Sequence, residues 1–322
     1  MRHTGLFVLL ALVAMGVGGC GKQPAAPGPQ TPAEKPVVIG LVSPALTSTF
    51  HVTFIKGAQE EGQKLGWKVE SLAPDRETNF AAQVNMVEAL VRRKVDAISI
   101  CAINETAIVG AIEQANKANV PVFVHNSLGD LPGAQVQAGI GYNQHKAGLL
   151  CGAYAAELLK KRYGEYKGKV YILLGIPGVH SLQRSGGFMD ALKPHPKIEI
   201  VAQTPANWER QQAMNVASAA LKATPDIDVF FGCSDAMAQG AAQGAREMDK
   251  DVFTIGIDGN PDTLKDIKNG VVTASCAVYP AEMGRITMRT IKAFLDGEAI
   301  EPKVETPIEI IDQSNVDTLL AK

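Results

Sequence analysis

The sequence predicts an α/β fold built from two doubly wound parallel-sheet lobes. From Val37 onward, apolar runs of strand length alternate with amphipathic stretches of helix length, a pattern typical of βα units around a parallel sheet. Within residues 252–262, Phe253, Ile255 and Ile257 have no polar counterface, which indicates a strand buried between two helical layers. The alternation occurs twice along the chain, so we expect two similar halves, although no residue-level repeat relates them.

The order of the predicted elements also indicates how the halves are connected. The end of the chain forms one more amphipathic helix and a short strand, which allows it to return to the first half and then re-enter the second. The predicted strands of the first half are 37–42, 67–71, 95–100 and 120–124, with helices near 50–65, 80–93 and 107–118. A crossing segment at 136–142 and a helix near 145–162 precede strands at 170–174, 198–203, 229–233, 252–257 and 272–278, and then a helix at 281–295 and a strand at 307–311.

Composition limits the class of partner. A chain of 322 residues with 46% apolar and 20% charged residues can bury two cores of ordinary domain size. Its formal net charge is −2 and it contains no run of more than three Lys or Arg residues, which argues against nucleic acid or an anionic membrane surface as the main partner. We therefore expect a small-molecule partner.

The amino end is predicted to be a targeting segment and not part of the fold. Arg2 precedes an apolar run at 6–15 that is too short to span a bilayer, and small residues lead to Cys20. Residues 17–20, Val-Gly-Gly-Cys, resemble the bacterial lipobox, with valine where leucine is usual. We expect a signal peptide at 1–19, lipidation at Cys20, and a lipid-anchored extracytoplasmic protein; an ordinary cleaved signal with an incidental cysteine is the alternative.

Two further features concern the tether and the remaining cysteines. Residues 20–36 are rich in proline and poor in large apolar groups, so they are predicted to form an extended tether. The remaining cysteines show no CxxC motif and no Cys/His spacing for a metal, so neither metal nor cofactor is expected. We favour small buried thiols over disulfides because their contexts are apolar strands and a helix face. They are Cys101, Cys151, Cys233 and Cys276.

Asp258 stands at the carboxyl end of the predicted strand in residues 252–257. In an open parallel sheet this edge is where ligands bind, and Asn260-Pro261 supplies the cap and first turn of the next helix. A carboxylate at this edge is either a helix-capping acid or an acceptor for a ligand, and its position alone leaves both interpretations open.

Motifs for an enzyme are absent from the sequence. Residues 232–236, Gly-Cys-Ser-Asp-Ala, imitate a nucleophile elbow, but every histidine precedes Ser234, whereas that fold needs its histidine later. The glycines at 175–178 and 186–187 match neither a dinucleotide fingerprint nor a Walker motif. We expect no catalytic activity, and we expect Ser234 or Asp235 to cap the following helix.

Several residues in the loops after strands have both a functional and a structural interpretation. Trp208 offers a flat face for a sugar ring, or it packs beneath its loop. Phe50 and His51 allow the same two interpretations. Arg184 is predicted in the first turn of a helix, either as a solvated surface residue or as a ligand contact.

Together these residues resemble the sugar-binding type I periplasmic binding proteins, which serve ABC importers and chemoreceptors. The similarity covers nearly all of 37–316. Any one mark is weak, but their order and spacing are specific. The marks are Lys56-Gly57-Ala58-Gln59, Val120-Pro121-Val122, Arg184 before Gly186-Gly187-Phe188, Ala206-Asn207-Trp208-Glu209-Arg210, Ser234-Asp235-Ala236-Met237-Ala238 and Gly256-Ile257-Asp258-Gly259-Asn260-Pro261.

The resemblance implies two lobes joined by three hinge crossings, with ligand in the cleft between them. The implied amino-terminal lobe comprises 37–142 and 279–306, and the carboxyl-terminal lobe comprises 143–278 and 307–322. The implied site residues are Ser43 and Ser48 in the first loop, Phe50 and Trp208 as a sandwich around the sugar, Arg184 as a donor, Asp258 as an acceptor, and Ser234 where the family often has asparagine.

Departures from the family pattern imply a changed ligand. The family's ribose binders carry an Asp-Arg pair where this chain has Asn126-Ser127; His51 replaces a second aromatic residue and Val278 replaces a hinge glutamine. A site built for hydroxyl groups rejects ligands that leave its buried polar groups unpaired, so we expect a ligand other than ribose.

The predicted function is that of an extracytoplasmic receptor that captures a monosaccharide or polyol and delivers it to an ABC permease. The alternative keeps the fold but makes it a signalling receptor, which presents an autoinducer-like or nucleoside ligand to a membrane sensor or chemoreceptor. A related DNA-binding repressor is excluded because residues 1–36 offer a signal and a tether in place of a helix-turn-helix.

Overall fold

The computed structural model describes residues 35–129, 131 and 133–320. The predicted signal peptide, the lipidation site at Cys20 and nearly all of the tether lie outside these residues.

The described chain alternates strands and helices from its first strand to its last helix. In chain order the elements are β1 (Val38–Val42), α1 (Thr49–Lys64), β2 (Lys68–Leu72), α2 (Phe80–Arg93), β3 (Ala97–Ile100), α3 (Val109–Lys117), β4 (Val122–His125), β5 (Gly139–Gly141), α4 (Gln144–Tyr163), β6 (Gly168–Leu174), α5 (Val179–Leu192), β7 (Ile198–Pro205), α6 (Arg210–Ala223), β8 (Val229–Gly232), α7 (Asp235–Glu247), β9 (Phe253–Asp258), α8 (Pro261–Lys268), β10 (Ala274–Ala277), α9 (Pro280–Leu295), β11 (Lys303–Glu305), β12 (Glu309–Asp312) and α10 (Val316–Leu320).

The strands of the described residues form two six-stranded sheets. The first has the order β11-β5-β4-β3-β1-β2 with parallel pairing throughout. The second has the order β12-β10-β9-β8-β6-β7 and is parallel except for the pairing of β10 with β12. This arrangement confirms the predicted fold of two α/β lobes.

Each sheet is covered by helices, which defines a first and a second lobe. Helices α1, α2, α3 and α9 pack on the first sheet or on one another, and α4 to α8 with α10 do so on the second. Strands β3, β4 and β8 are fully buried, as expected for parallel strands that are covered on both faces. The chain passes between lobes after β5, after β10 and between β11 and β12.

The cysteines of the described ranges are buried and free. None of them forms a disulfide, which confirms that these thiols act as small buried side chains. They are Cys101, Cys151, Cys233 and Cys276. Within the same residues, every helix is too short or too polar to cross a lipid bilayer.

Candidate functional site

A cavity of about 1170 Å³ lies between the loops that follow strands of both sheets. Its lining comes from the loops after β1, β2, β3 and β4 in the first lobe and after β6, β7, β8 and β9 in the second. Because carboxyl ends of parallel strands share one edge of each sheet, two such edges facing one gap bring together residues distant in sequence.

Most of the site residues predicted from the sequence meet at this cavity. Ser43 and Ser127 are not among the lining residues. Ser43 is fully buried, and its hydroxyl has no hydrogen-bond partner in the described ranges. Ser127 Oγ accepts from the backbone N–H of Gly129 at 3.0 Å. A binding role for these two serines stays a prediction. The lining includes Ser48, Phe50, His51, Asn126, Arg184, Trp208, Ser234 and Asp258.

Arg184 is fixed by three hydrogen bonds to the protein. Its Nε donates to Gln144 Oε1 at 2.7 Å and its Nη1 donates to the carbonyl of Cys233 at 2.6 Å, while Nη2 donates to the hydroxyl of Tyr142. It lies in the second turn of α5, not the first, because α5 begins at Val179. At 4% exposure it is not a solvated surface residue. A guanidinium has five N–H groups, so two remain for a ligand.

Close packing of α4 on α5 sets the position of this guanidinium. A Cβ at Gly148 of α4 would lie 2.0 Å from the carbonyl oxygen of Arg184, closer than any non-bonded contact allows. Only glycine lets α4 approach the turn of α5 that carries Arg184. The same α4 supplies Gln144, which accepts from Arg184 Nε, so one helix both seats and orients the cation.

Asp258 contacts a helix N-terminus and also lines the cavity, while its role as an acceptor for a ligand stays a prediction. Its Oδ2 accepts from the backbone N–H of Asp235, the first residue of α7, at 3.3 Å and from Asn260 Nδ2 at 3.3 Å. Its Oδ1 lies 3.7 Å from Arg184 Nη1. One oxygen therefore stabilises a helix N-terminus while the other is paired with the cation that lines the cavity.

The caps of the neighbouring helices agree with the sequence. Ser234 is the N-cap of α7, and its Oγ accepts from the backbone N–H of Met237 at 3.4 Å. Asn260 is the N-cap of α8 and Pro261 follows at its first turn. Asn260 makes no side-chain cap hydrogen bond: its Nδ2 donates to Asp258 Oδ2, and its Oδ1 accepts from no described residue.

Burial controls the protonation of the carboxyl groups here. The pKa of Asp258 is raised well above its ordinary value by burial and by the nearby Asp235, while Arg184 acts to lower it. Burial also raises the pKa of Asp235 to about 6, although Asp235 Oδ1 accepts from Ser275 Oγ at 2.5 Å. Hydrogen bonds to a carboxylate favour its charged form, so a ligand that donates to Asp258 would lower its pKa.

Trp208 presents its indole ring to the cavity from the loop between β7 and α6. Its backbone has a φ of 67°, the left-handed region that bulky residues seldom adopt. The ring lies against Gly175, where a Cβ would fall 2.0 Å from Trp208 Cζ2, and 5.4 Å from the Arg184 guanidinium carbon. The side chain is half-buried, so packing and exposure to the cavity occur together.

The first lobe contributes the start of α1 and the end of β4. Phe50 and His51 lie in the first turn of α1, nearly fully buried, with ring centroids 5.1 Å apart in an edge-to-face arrangement. Ser48, the N-cap, makes no side-chain cap hydrogen bond, so its hydroxyl is not committed to the helix. Asn126 follows β4 with a φ of 60° and is also nearly fully buried.

Several buried polar atoms of the lining have no hydrogen-bond partner among the described residues. They are His51 Nδ1, Asn126 Oδ1 and Asn260 Oδ1. Burial lowers the pKa of His51 to about 3, with smaller effects from His180 and Arg184, so this ring is neutral at pH 7. Unpaired buried polar atoms cost free energy unless a water or ligand satisfies them, so their presence indicates a site for a polar molecule.

Sequence reasoning missed other lining residues. Glu77 follows β2, Glu105 follows β3, and His180 lies at the start of α5. No motif marks them, but each comes shortly after a strand, and this position was the signal available. Within the described ranges no group of three or more His, Cys, Asp or Glu side chains is arranged to hold a metal ion.

The fold and this cleft define a two-lobed solute-binding protein. The chain belongs to the periplasmic binding protein domain family, whose model matches residues 39–299. It is therefore an extracytoplasmic binding protein and not an enzyme.

Similar proteins of known identity cover nearly the whole folded chain. The ribose import binding protein RbsB of Escherichia coli (strain K12) is 31% identical over 275 residues, which is 85% of this chain and 90% of the relative. RbsB of Bacillus subtilis (strain 168) is 29% identical over 281 residues, 87% and 88% of the two chains. The crystal structure of an ABC transporter periplasmic solute-binding protein from Actinobacillus succinogenes 130z with bound D-allose gives a TM-score of 0.82 at 27% identity, covering 88% of this chain and 100% of the other.

Proposed function

We propose that this protein captures a monosaccharide or polyol between its lobes and delivers it to an ABC permease. The observation that carries the proposal is that Arg184 and Asp258, 3.7 Å apart, line one cavity with the indole ring of Trp208. Sugars present an apolar C–H face for an aromatic ring and hydroxyl groups that donate and accept at the same time. The ribose importers and the D-allose complex among the similar proteins support this ligand class.

The hydrogen-bonding groups suit hydroxyls of fixed geometry. Arg184 is a charged donor with two N–H groups left over, and Asp258 is an acceptor whose charged form is favoured by hydroxyl groups that donate to it. Charge-assisted hydrogen bonds are about twice as strong as neutral ones. Arg184 is held by Gln144, Tyr142 and Cys233 before ligand arrives, so little conformational entropy is lost on binding.

The ligand is proposed to differ from ribose. Asn126-Ser127 stand where the family's ribose binders carry an Asp-Arg pair, and His51 stands in place of an aromatic residue. Asn126 Oδ1 and His51 Nδ1 are unpaired, so they would select a ligand that completes their hydrogen bonds.

The protein is proposed to be held at the outer side of a membrane by a lipid on Cys20, which is added with removal of a signal peptide at 1–19. Residues 20–36 are proposed to form the tether. Delivery to a permease is favoured over the signalling alternative because the similar proteins are import binding proteins. A chemoreceptor or sensor remains a second proposed partner. Mass spectrometry of the protein isolated from its membrane should show a lipid-modified Cys20 that the Cys20→Ser variant lacks.

The test of ligand class is a binding screen. Protein freed of co-purified ligand should show a raised melting temperature with selected monosaccharides or polyols, and calorimetry should give one site per chain. Mass spectrometry of the molecule released on denaturation should identify a carbohydrate. A nucleoside or furanone as the sole binder would instead support the signalling alternative.

A further inference from the structure

The cavity carries more negative than positive side chains. Its lining holds three guanidinium groups and no lysine, against five carboxylates. Both lobes contribute acids, so closure of the cleft brings like charges together. The arginines are Arg76, Arg184 and Arg210, and the acids are Asp75, Glu77, Glu105, Glu209 and Asp258.

Each arginine of the lining already has a carboxylate partner. Arg76 Nε lies 3.2 Å from Asp75 Oδ2, and Arg210 Nη2 lies 2.9 Å from Asp262 Oδ2. The third, Arg184, is paired with Asp258 at 3.7 Å. Among the described lining residues, no positive side chain is therefore left to pair with the remaining acids.

Glu77 and Glu105 have no hydrogen bond or ion pair with any described residue. Both are half-buried, and both are close enough to the Cys101 thiol in the cavity wall to act on it electrostatically. Burial raises the pKa of Glu77 to about 7, opposed by the positive charge of Arg184 and increased by Glu209 from the other lobe. Burial also raises the pKa of Glu105. A cation placed beside Glu77 would relieve both the burial cost and the repulsion from Glu209.

The buried polar atoms without a partner also indicate a ligand that is rich in hydrogen-bond donors. Asn126 Oδ1 and Asn260 Oδ1 are acceptors, each on a residue 4% exposed, and neither has a donor in the part of the chain that the structure describes. Together with Glu77 and Glu105 they make the cavity richer in acceptors than in donors. An ammonium group supplies three donors and one positive charge.

We propose that the ligand is a sugar or polyol that carries a primary amino group, and that Glu77 binds this group as an ammonium ion. The inference rests on the proposed function, since Arg184, Asp258 and Trp208 hold the hydroxyl-bearing ring while Glu77 sets the specificity. Anionic sugars are disfavoured because they would add negative charge to a gap that already has an excess. An amino group fits better than a divalent cation, since the described residues offer no cluster of three ligating side chains.

The test compares matched ligands that differ by one group. Calorimetry at pH 7 should show D-glucosamine or D-galactosamine binding at least about tenfold more tightly than D-glucose or D-galactose, as expected for one charge-assisted hydrogen bond. The Glu77→Gln variant should lose this preference while retaining the neutral sugar, and Glu77→Asp should recover part of it. Glu113→Gln, on the exposed face of α3, is the matched control and should bind like the parent.

The possible outcomes separate this inference from the proposed function. Neutral sugars that bind as tightly as their amino partners, with Glu77→Gln unchanged, would overturn the role of Glu77 and leave a sugar receptor. Tight binding of D-glucose 6-phosphate, or stabilisation by Ca²⁺ that depends on Glu77, would also overturn it. If no neutral sugar, amino sugar or polyol binds, both the proposed function and this inference are wrong. Melting curves of each variant without ligand exclude misfolding as the cause.

Discussion

The carboxylate of Asp258 makes a contact within the protein through each of its oxygens and also lines the cavity. Its Oδ2 accepts from the N-terminus of α7, and its Oδ1 pairs with Arg184 beside the cavity. The backbone at Asp258 has a φ of 152°, within the region that side-chain-bearing residues rarely occupy, so the chain accepts strain to aim this carboxylate.

Replacement of this acid should abolish ligand capture. Asp258→Ala removes the proposed acceptor for a pair of ligand hydroxyl groups, and each hydrogen bond to a charged group contributes about 1.5–3 kcal/mol, so affinity should fall about 100-fold or more. Calorimetry measures the loss. Asp317→Ala breaks only an exposed pair with Lys268 and should leave affinity unchanged. Unchanged affinity in Asp258→Ala would remove this residue from the site.

Trp208 should contribute to binding more than to stability. Trp208→Ala removes the flat ring from the cavity, and loss of stacking and apolar contact should weaken binding about tenfold or more. Because the ring is only half-buried, we expect the free energy of unfolding to fall by about 1 kcal/mol or less. Trp208→Phe should keep much of the affinity. A large drop in melting temperature without ligand would instead assign the ring to packing.

Residues named by the family motifs were predicted well in position, whereas residues in irregular loops were not. Arg184 and Asp258 follow strands within recognisable motifs, so sequence alone placed them at one rim. Glu77 and Glu105 were missed because the loops after β2 and β3 carry no motif. Ser43 and Ser127 were predicted in the site but lie outside the lining, since the direction of a loop side chain depends on backbone angles that residue type does not determine.

At the level of elements, the contact between α4 and α5 determines where the cation stands. Gly148 permits the close approach, and the next glycine on α4, Gly152, has the same relation to Phe188 of α5. Such contacts leave no room for a side chain, so the angle between these helices is set by steric exclusion.

A methyl group at this contact should disturb both stability and binding. Gly148→Ala would place Cβ 2.0 Å from the Arg184 carbonyl, and such overpacking costs about 1–3 kcal/mol of unfolding free energy. Denaturant titration and calorimetry should show both losses. Gly110→Ala is the matched control, because no atom lies within 4 Å of its Cβ; alanine in α3 should raise stability by about 0.5–1 kcal/mol. Equal behaviour of the two variants would refute the packing argument.

Most elements were predictable from periodicity, but their edges were not. Strands β3 and β4 begin two residues later than predicted, because Val95 and Val120 close the preceding helices: their N–H groups donate to the carbonyls of Leu90 and Ala115 after left-handed residues. Strand β11 was missed because its three residues are largely exposed, and the five-residue α10 is too short for a periodic signal.

At the scale of the whole molecule, the cleft buries basic and acidic ionisable groups together, some nearly completely and others in part. His51 and His180, from different lobes, both have their pKa lowered to about 3 by burial. Glu77, in the same cavity, has its pKa raised to about 7 for the same reason. Burial disfavours the charged form in each case, so the two kinds of group respond to pH in opposite directions.

Two variants should therefore show opposite pH profiles. The folded pKa of His51 lies below its unfolded value of about 6.5, so its neutral ring supports the fold above that pH and opposes it as pH falls. The melting temperature of His51→Gln relative to the parent should rise from pH 7 to pH 5. The folded pKa of Glu77, about 7, lies above its unfolded value, so the parent loses stability as the pH rises between the two values. The melting temperature of Glu77→Gln relative to the parent should therefore rise from pH 5 to pH 8. A difference in melting temperature between variant and parent that does not change with pH, measured by calorimetry, would contradict the burial argument.

The two-lobed architecture was predicted because alternating βα units leave few other arrangements for a chain of this length. The charge balance of the gap between the lobes was not predicted, because it depends on which loop side chains point into the gap once the two sheets are in place. Pairing of Arg76 with Asp75 and of Arg210 with Asp262 shows this: formal net charge gives no indication that the arginines are already neutralised.

Strands β11 and β12 complete the edges beside β5 and β10, although they lie within the last tenth of the chain. During synthesis, both edges therefore stay open until residues 303–312 have left the ribosome. Open strand edges are templates for intermolecular pairing. Stalled translation products that end before residue 303 would carry two such edges, and we expect them to aggregate or be degraded instead of reaching a functional state.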